Sequence, residues 1–220
     1  MRSVIFDLDG TLADTSGDLL AAANACFVGL GLGELLTPAD AGTALRGGRA
    51  MLRLGFSRVD GFGETEVDVE YPKLLAHYQE AIDVHTRMYP GAMEAVEALR
   101  ARGDAVAICT NKPEGLAEQL MQSLGVRDAF GALVGADTTP TPKPNPAPYF
   151  EVVRRLGGDP KRSLLVGDSM TDERTARAAG VPSLSVAFSP DLASREEMTP
   201  DAWLSDYRDL PEIVERLIPQ

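Results

Sequence analysis

The sequence has little cysteine, little positive charge and no long apolar run. Its two cysteines, Cys26 and Cys109, form no CxxC pair and are too few for a disulfide framework, which favours a reducing, cytoplasmic location. The 33 acidic residues outnumber the 21 basic ones, and the resulting net charge of −12 argues against a nucleic acid as partner. No apolar stretch approaches the roughly 20 residues of a membrane span, and the N-terminus has no signal-peptide pattern. We expect a cytoplasmic protein that binds neither nucleic acid nor membrane, either as a monomer or as a homodimer.

Strand and helix signals alternate from residue 88 to the C-terminus. Short apolar runs at 105–109, 163–166 and 183–187 are typical of buried strands, and amphipathic segments such as 170–179 predict helices between them. Apolar strands that alternate with helices indicate a parallel sheet covered on both faces. The sequence therefore predicts an α/β fold with a Rossmann-like parallel sheet core.

Residues 15–87 interrupt this alternation because they carry helical patterns only. Apolar side chains recur at helical spacing in two stretches, 19–30 and 74–82. We therefore expect an α/β catalytic core of residues 1–14 and 88–220, and an inserted all-helical cap domain of residues 15–87. A helical insert beside an active-site loop is a natural lid.

The most informative motif is FDLDGT at residues 6–11. It holds the carboxylates of Asp7 and Asp9 in the tight turn that follows the first strand. One carboxylate as nucleophile and its neighbour as acid/base is the minimal equipment for phosphoryl transfer to aspartate, and the pair would attract a divalent cation. A plain Asp-Gly turn is one alternative. A calcium loop is another, but Leu12 stands where that motif needs glycine and Asp18 where it needs glutamate.

Thr110 and Asn111 directly follow the predicted strand 105–109 and precede Lys112 and Pro113. One interpretation is a helix cap with proline in the first turn. The functional interpretation is that the hydroxyl group and backbone N–H groups hold a phosphate at the start of a helix.

Lys143 lies between Pro142 and Pro144 in a proline-rich loop. Such a loop could be a PxxP ligand for a partner domain. However, the prolines restrict the backbone on both sides, so the ammonium is held with little conformational entropy left to lose. This rigid mount favours a site residue over a solvated surface lysine.

The segment Gly167–Asp172 follows another apolar strand and carries two acids, Asp168 and Asp172. Helix capping by Asp168 or Ser169 is one interpretation. The other is a magnesium site completed by the two acids. All these motifs lie just beyond the carboxyl ends of predicted parallel strands, which is where open α/β sheets bind ligands.

The order of DLDGT, CTN, a lysine in a proline-rich loop and GDSxxD resembles the haloacid dehalogenase superfamily of phosphohydrolases. The segments YPG at 89–91, CTNKP at 109–113 and KPNPAP at 143–148 are most similar to its phosphoglycolate phosphatase branch. The resemblance implies a Mg²⁺-dependent phosphatase of a small phosphate monoester, with 2-phosphoglycolate as the best expectation.

The resemblance also implies roles for the acids. Asp7 would attack phosphorus to form an aspartyl-phosphate, while Asp9 would protonate the leaving oxygen and later activate water. Mg²⁺ would be held by Asp7, Asp168 and the backbone carbonyl of Asp9, with Asp172 nearby. Such a cation would offset the repulsion between Asp7 and a dianionic ester.

The remaining implied site residues contact the substrate. Thr110 and Lys143 would grip the phosphoryl oxygens, while Thr11 and Asn111 would lie beside them. The segment LRGGR at 45–49 is similar to the cap loop that meets substrate in relatives. Its two arginines, Arg46 and Arg49, could pair with a substrate carboxylate or phosphate.

Three other classes of activity compete with a phosphatase. A phosphomutase of the same superfamily differs only in passing the phosphoryl group to a sugar hydroxyl. A phospho-receiver signalling module uses similar residues, but its phosphorylated aspartate lies on a different strand from its acid pair. A dehalogenase is disfavoured because its chemistry needs no metal and would leave Asp9 and Asp168 without a role.

Overall fold

The computed structural model describes residues 1–190 and 195–219. The chain divides into two compact units. The α/β unit comprises Met1–Ala13 and Met88–Gln220, and the helical unit comprises Asp14–Arg87. That the helical unit acts as a cap stays a prediction.

The strands are short, as expected for a small α/β protein. In chain order they are β1 (Ser3–Phe6), β2 (Ala13–Asp14), β3 (Arg87–Met88), β4 (Ala105–Cys109), β5 (Ala132–Val134), β6 (Ser163–Gly167), β7 (Ser183–Val186) and β8 (Ala202–Leu204). Six of them form one parallel sheet in the order β5-β4-β1-β6-β7-β8, whereas β2 and β3 form a separate two-stranded sheet.

Helices alternate with the strands of the α/β unit and make up most of the helical unit. The helical unit contains α1 (Ser16–Gly29), α2 (Ala41–Ala44), α3 (Gly48–Phe56) and α4 (Glu64–Glu80). The α/β unit contains α5 (Ala92–Ala101), α6 (Glu114–Ser123), α7 (Ala147–Arg155), α8 (Met170–Ala179) and α9 (Leu210–Leu217). The predicted α/β fold class with a helical insert is thus confirmed. Among the described residues, no helix combines the length and apolar character needed to cross a membrane.

β1 lies within the sheet between β4 and β6, and its apolar side chains are completely buried. Val4, Ile5 and Phe6 are each 0% exposed. Ile5 belongs to a core cluster with Tyr149 of α7 and Ala176 of α8. Burial of each large apolar side chain contributes about 1.5–3 kcal/mol relative to exposure. This packing fixes the point at which the chain leaves β1.

The sheet register brings the carboxyl ends of β1, β4 and β6 to one edge. Phe6 lies opposite Ile108 of β4 and Val166 of β6. The amide of Asp7 extends the pairing by donating to the Val166 carbonyl at 2.8 Å. Parallel strands release the residues that follow them at the same edge. These residues are Asp7, Thr110 and Asp168.

Strand β8 was not predicted from the sequence. It pairs in parallel with β7, with Trp203 opposite Ser185. Ala202 and Leu204 are buried, whereas Trp203 points outward and is 36% exposed. Three residues give too short an alternation to be distinguished from a loop.

Candidate active site

The acid loop, residues 7–13 after β1, is a tight turn in which several amides share one carbonyl acceptor. The amides of Thr11, Leu12 and Ala13 all donate to the Leu8 carbonyl at 3.0–3.2 Å. Gly10 has a φ of 80°, in the left-handed region that favours glycine. Gly10 therefore supplies the turn that holds Asp7 and Asp9 at the sheet edge.

The nucleophile candidate Asp7 is held by its own loop. Its Oδ1 accepts a hydrogen bond from the Leu8 amide at 2.7 Å. Burial raises the pKa of Asp7 to about 7, and the nearby Asp172 carboxylate adds to this rise while Lys143 opposes it. Asp7 is thus a buried acid whose charge needs positive neighbours.

Lys143 supplies such a charge, because its ammonium contacts two carboxylates. Nζ is 3.1 Å from Asp7 Oδ1 and 2.6 Å from Asp172 Oδ1, and the lysine side chain is 1% exposed. Burial opposes its charge, but Asp172 and Asp7 outweigh burial and raise the pKa of Lys143. Lys143 is therefore a fixed cation beside Asp7.

Three buried carboxylates converge around this lysine. One oxygen each from Asp7, Asp168 and Asp172 lies within 4.8 Å of the others. Burial, followed by the charges of Asp172 and Asp7, raises the pKa of Asp168 well above its ordinary value. A donor set made only of carboxylate oxygens suits a hard divalent cation such as Mg²⁺. A divalent cation would also offset the repulsion that raises these pKa values, so the residues fit the predicted ion.

The start of α8 is packed so closely that glycine is required before it. A Cβ at Gly167 would lie 2.3 Å from Asp172 Cβ. Asp172 Oδ2 in turn accepts from the hydroxyl of Ser169 at 2.7 Å and from its amide at 3.2 Å. The predicted helix cap at Ser169 is therefore present, with Asp172 as its second member. Asp172 also contacts Lys143, and binding of a metal ion by Asp168 and Asp172 stays a prediction.

Ser189 is a site residue that the sequence analysis missed. Its Oγ donates to Asp168 Oδ2 at 2.7 Å, and the residue is 6% exposed. Ser189 follows β7 by three residues, so its position beyond a strand end was the one signal that it could belong to the site. A single serine matches no motif at that position.

Thr110 and Asn111 both have structural contacts at the end of β4. The Thr110 hydroxyl accepts from the Lys112 amide at 3.1 Å. The Asn111 side chain donates from Nδ2 to the Lys143 carbonyl at 2.9 Å and accepts at Oδ1 from the Lys143 amide at 3.0 Å. The Asn111 side chain therefore holds the lysine loop. Contact of Thr110 or Asn111 with substrate stays a prediction.

Asp9, the predicted acid/base, contacts a second lysine. Lys112 Nζ donates to Asp9 Oδ1 at 2.8 Å, and the side chains are 4% and 15% exposed, respectively. In the sequence, Lys112 is recognisable only as a neighbour of a helix start. Its contact joins segments 103 residues apart, so local sequence gave no signal for it.

Thr11 lies deep in the acid loop. It is 0% exposed, and its carbonyl accepts from the Tyr207 hydroxyl at 2.7 Å. Its own Oγ1 has no hydrogen-bond partner within residues 1–190 and 195–219. These contacts make Thr11 a structural part of the loop, and its contact with substrate stays a prediction.

Arg46 and Arg49 belong to the helical unit. Arg46 lies between α2 and α3, where its amide donates to the Thr43 carbonyl at 3.0 Å. Arg49, in α3, pairs with Asp68 and places its guanidinium carbon 4.4 Å from the ring centroid of Tyr71. Their predicted contact with substrate stays a prediction.

A parallel sheet whose carboxyl edge brings together Asp7, Lys143, Asp168 and Asp172 agrees with the family to which the sequence belongs. The haloacid dehalogenase-like hydrolase family matches the sequence over residues 1–180. The chain is a member of this family.

Similarity to individual relatives indicates the class of hydrolase within this family. The chain is 35% identical over 216 residues to a phosphoglycolate phosphatase of Agrobacterium fabrum, covering 97% of this chain and 93% of the relative. It is 39% identical over 224 residues to a phosphoglycolate phosphatase of Mesorhizobium japonicum, covering 98% and 96%. A crystal structure of a predicted phosphoglycolate phosphatase from Haemophilus somnus 129pt superposes with a TM-score of 0.85 at 26% identity, covering 97% of each chain. The chain is accordingly a phosphoric monoester hydrolase, and the predicted family and enzyme class are confirmed.

Proposed function

We propose that this enzyme hydrolyses 2-phosphoglycolate, a small phosphate monoester, through an aspartyl-phosphate at Asp7 and with Mg²⁺ as cofactor. The observation that carries the proposal is the contact of buried Lys143 with both Asp7 and Asp172, beside the carboxylate of Asp168. A dianionic phosphate can approach a carboxylate nucleophile only where positive charge offsets their repulsion.

Asp7 is the nucleophile in this scheme. The Leu8 amide and the Lys143 ammonium both contact Oδ1 and fix the carboxylate at the sheet edge. An oxygen of Asp7 attacks phosphorus as the bond from phosphorus to the ester oxygen breaks. Lys143 stabilises the negative charge on the transferring phosphoryl group, and the Thr110 hydroxyl donates to one of its oxygens.

Asp9 moves the protons. It gives a proton to the departing ester oxygen, and it then takes a proton from the water that attacks the aspartyl-phosphate. Asp9 follows the nucleophile by two residues and lies in the tight turn at Gly10. The same side chain therefore serves both half-reactions.

The convergent carboxylates of Asp7 and Asp168, with Asp172 at their edge, would hold the cation. Mg²⁺ would supply charge neutralisation and polarise the phosphoryl oxygens. Asp172 also orients Lys143, because it accepts a hydrogen bond from that ammonium at 2.6 Å.

The substrate is proposed from the relatives, because those at 35% and 39% identity are phosphoglycolate phosphatases over nearly their full length. A cytoplasmic location accords with the free, buried thiols of Cys26 and Cys109.

The proposal is tested by phosphate release from 2-phosphoglycolate, hexose phosphates, nucleotides and an aryl phosphate, with and without Mg²⁺. We expect Mg²⁺-dependent release with 2-phosphoglycolate favoured. Asp7→Asn should fold normally and lose at least roughly a thousandfold in kcat. Asp128→Asn, at an exposed acid of the same unit, is the matched control and should retain activity.

Two results would contradict the proposal. Full activity of Asp7→Asn would remove Asp7 as nucleophile. Transfer of the phosphoryl group to a sugar hydroxyl, with little release to water, would instead identify a phosphomutase.

A further inference from the structure

Lys112 is a buried lysine that the proposed chemistry does not use. Its Nζ donates to Asp9 Oδ1 at 2.8 Å, and its side chain is 4% exposed. Its backbone is held on both sides: the amide donates to the Thr110 hydroxyl at 3.1 Å, and the carbonyl accepts from the Ala136 amide at 3.0 Å. The ammonium is therefore a fixed charge within the site.

The two site lysines contact different acids. Lys143 contacts Asp7, the acid proposed to attack phosphorus, whereas Lys112 contacts Asp9, the acid proposed to protonate the departing oxygen. Under the proposed function, the ester oxygen must approach Asp9. Lys112 therefore lies on the leaving-group side of the reaction, and Lys143 lies on the phosphoryl side.

Packing alone does not explain an ammonium at this position. A buried ion pair gives little net stability, because loss of hydration offsets the attraction between its charges. A lysine gains a function there if the bound substrate brings another negative charge next to Asp9.

We propose that Lys112 selects the leaving group by binding a carboxylate one carbon away from the ester oxygen. The inference rests on the proposed function and deepens it, because it defines the substrate class as phosphate monoesters of short 2-hydroxy acids. In such an ester a single carbon separates the carboxylate from the oxygen that Asp9 protonates. A lysine ammonium carries three N–H donors, so Nζ can contact Asp9 and a substrate carboxylate together.

Charge balance supports the same assignment. Asp7, Asp9, Asp168 and Asp172 already make the site strongly acidic, so an anionic leaving group beside Asp9 would be repelled without a local cation. A neutral leaving group of the same size would gain less from Lys112, because a hydroxyl group accepts a weaker hydrogen bond from an ammonium than a carboxylate does. The lysine therefore discriminates by charge more than by shape.

The test compares 2-phosphoglycolate with 2-hydroxyethyl phosphate, its neutral counterpart, in the wild-type enzyme and in Lys112→Met. We expect the wild type to prefer 2-phosphoglycolate in kcat/KM and the variant to lose roughly 10- to 150-fold of that preference, the value of a charged hydrogen bond. Lys112→Arg should restore part of it. Lys161→Met, at an exposed lysine of the same unit, should leave the preference unchanged.

The preference is a ratio measured on one preparation, so it does not depend on the fraction of folded enzyme. An equal loss on both esters leaves the ratio unchanged and would mean that Lys112 only positions Asp9. Unchanged kcat/KM on both esters would mean that Lys112 does not meet the carboxylate. Either result overturns the inference while the phosphatase stands. Absence of release by the wild type from every ester would instead overturn the proposed function and the inference with it.

Discussion

The side-chain amide of Asn111 forms two hydrogen bonds with the backbone of Lys143. Nδ2 donates to the lysine carbonyl at 2.9 Å, and Oδ1 accepts from the lysine amide at 3.0 Å. Asn111, the second residue after β4, thus holds the loop that carries Lys143. Flanking prolines limit how the loop can bend, and this pair of bonds fixes its backbone at Lys143.

We therefore expect Asn111→Ala to lower kcat by up to about 30-fold on every ester, because two hydrogen bonds of about 1 kcal/mol each no longer hold Lys143. Asn111→Asp keeps the acceptor oxygen but loses the Nδ2 donor, so its kcat should lie between those of the wild type and Asn111→Ala. Asn145→Ala, at an exposed asparagine of the same loop whose Oδ1 accepts from the Ala147 amide, is the control. Unaltered kcat in Asn111→Ala would show that the loop does not need this support.

A second expectation concerns Ser189, whose hydroxyl donates to Asp168 at 2.7 Å. Removing a hydrogen-bond partner of a metal-binding carboxylate commonly weakens metal affinity by roughly 10- to 100-fold. Ser189→Ala should therefore raise the Kd for Mg²⁺ by roughly 10- to 100-fold, as measured by titration calorimetry on the enzyme without substrate. Ser205→Ala, at an exposed serine, should bind Mg²⁺ like the wild type. Equal affinities in the two variants would exclude Ser189 from the ion site.

A third expectation concerns stability at the opposite edge of the sheet. Arg2 precedes β1 and is 2% exposed, and its guanidinium binds both oxygens of Asp104 at 2.7 and 2.9 Å. Breaking a buried pair leaves an uncompensated charge, so Asp104→Asn should cost about 3 kcal/mol in the free energy of unfolding by urea. Glu215 also pairs with Arg2 but is 48% exposed, so Glu215→Gln should cost under about 1 kcal/mol. Similar losses in the two variants would refute this account.

A fourth expectation separates two arginines of α3. Arg49 pairs with Asp68 and Arg53 with Glu64, and both arginine side chains are solvent-exposed to a similar degree, at 43% and 51%. If Arg49 meets substrate, Arg49→Ala should lower kcat/KM for 2-phosphoglycolate several-fold more than for an aryl phosphate. Arg53→Ala should change both substrates alike. The same selectivity ratio in Arg49→Ala and the wild type would remove Arg49 from substrate selection.

The sequence predicted those features whose signals are local. Apolar runs marked the strands, and the acids directly after them marked Asp7 and Asp168, while the flanking prolines marked Lys143. The structure brings these three side chains together. Strand ends in a parallel sheet share one edge, so order along the chain was enough.

The features that were missed depend on contacts between distant segments. Lys112 and Asp9 are 103 residues apart, and Ser189 and Asp168 are 21 apart. Such pairs are set by the direction of each side chain after folding, which no local pattern records. The dual contacts of Asn111 with Lys143 were missed for the same reason, since a helix cap and a phosphate contact both explained its sequence position.

The most direct test of the central claim is to trap the aspartyl-phosphate. The wild-type enzyme is mixed with 2-phosphoglycolate and Mg²⁺ and quenched with borohydride, which reduces an acyl phosphate to an alcohol. Peptide mass spectrometry then locates the modified residue. We expect residue 7 to become homoserine only when the ester and Mg²⁺ are both present. Steady release of phosphate with Asp7 unmodified, or with the modification at another acid, would contradict the proposed mechanism.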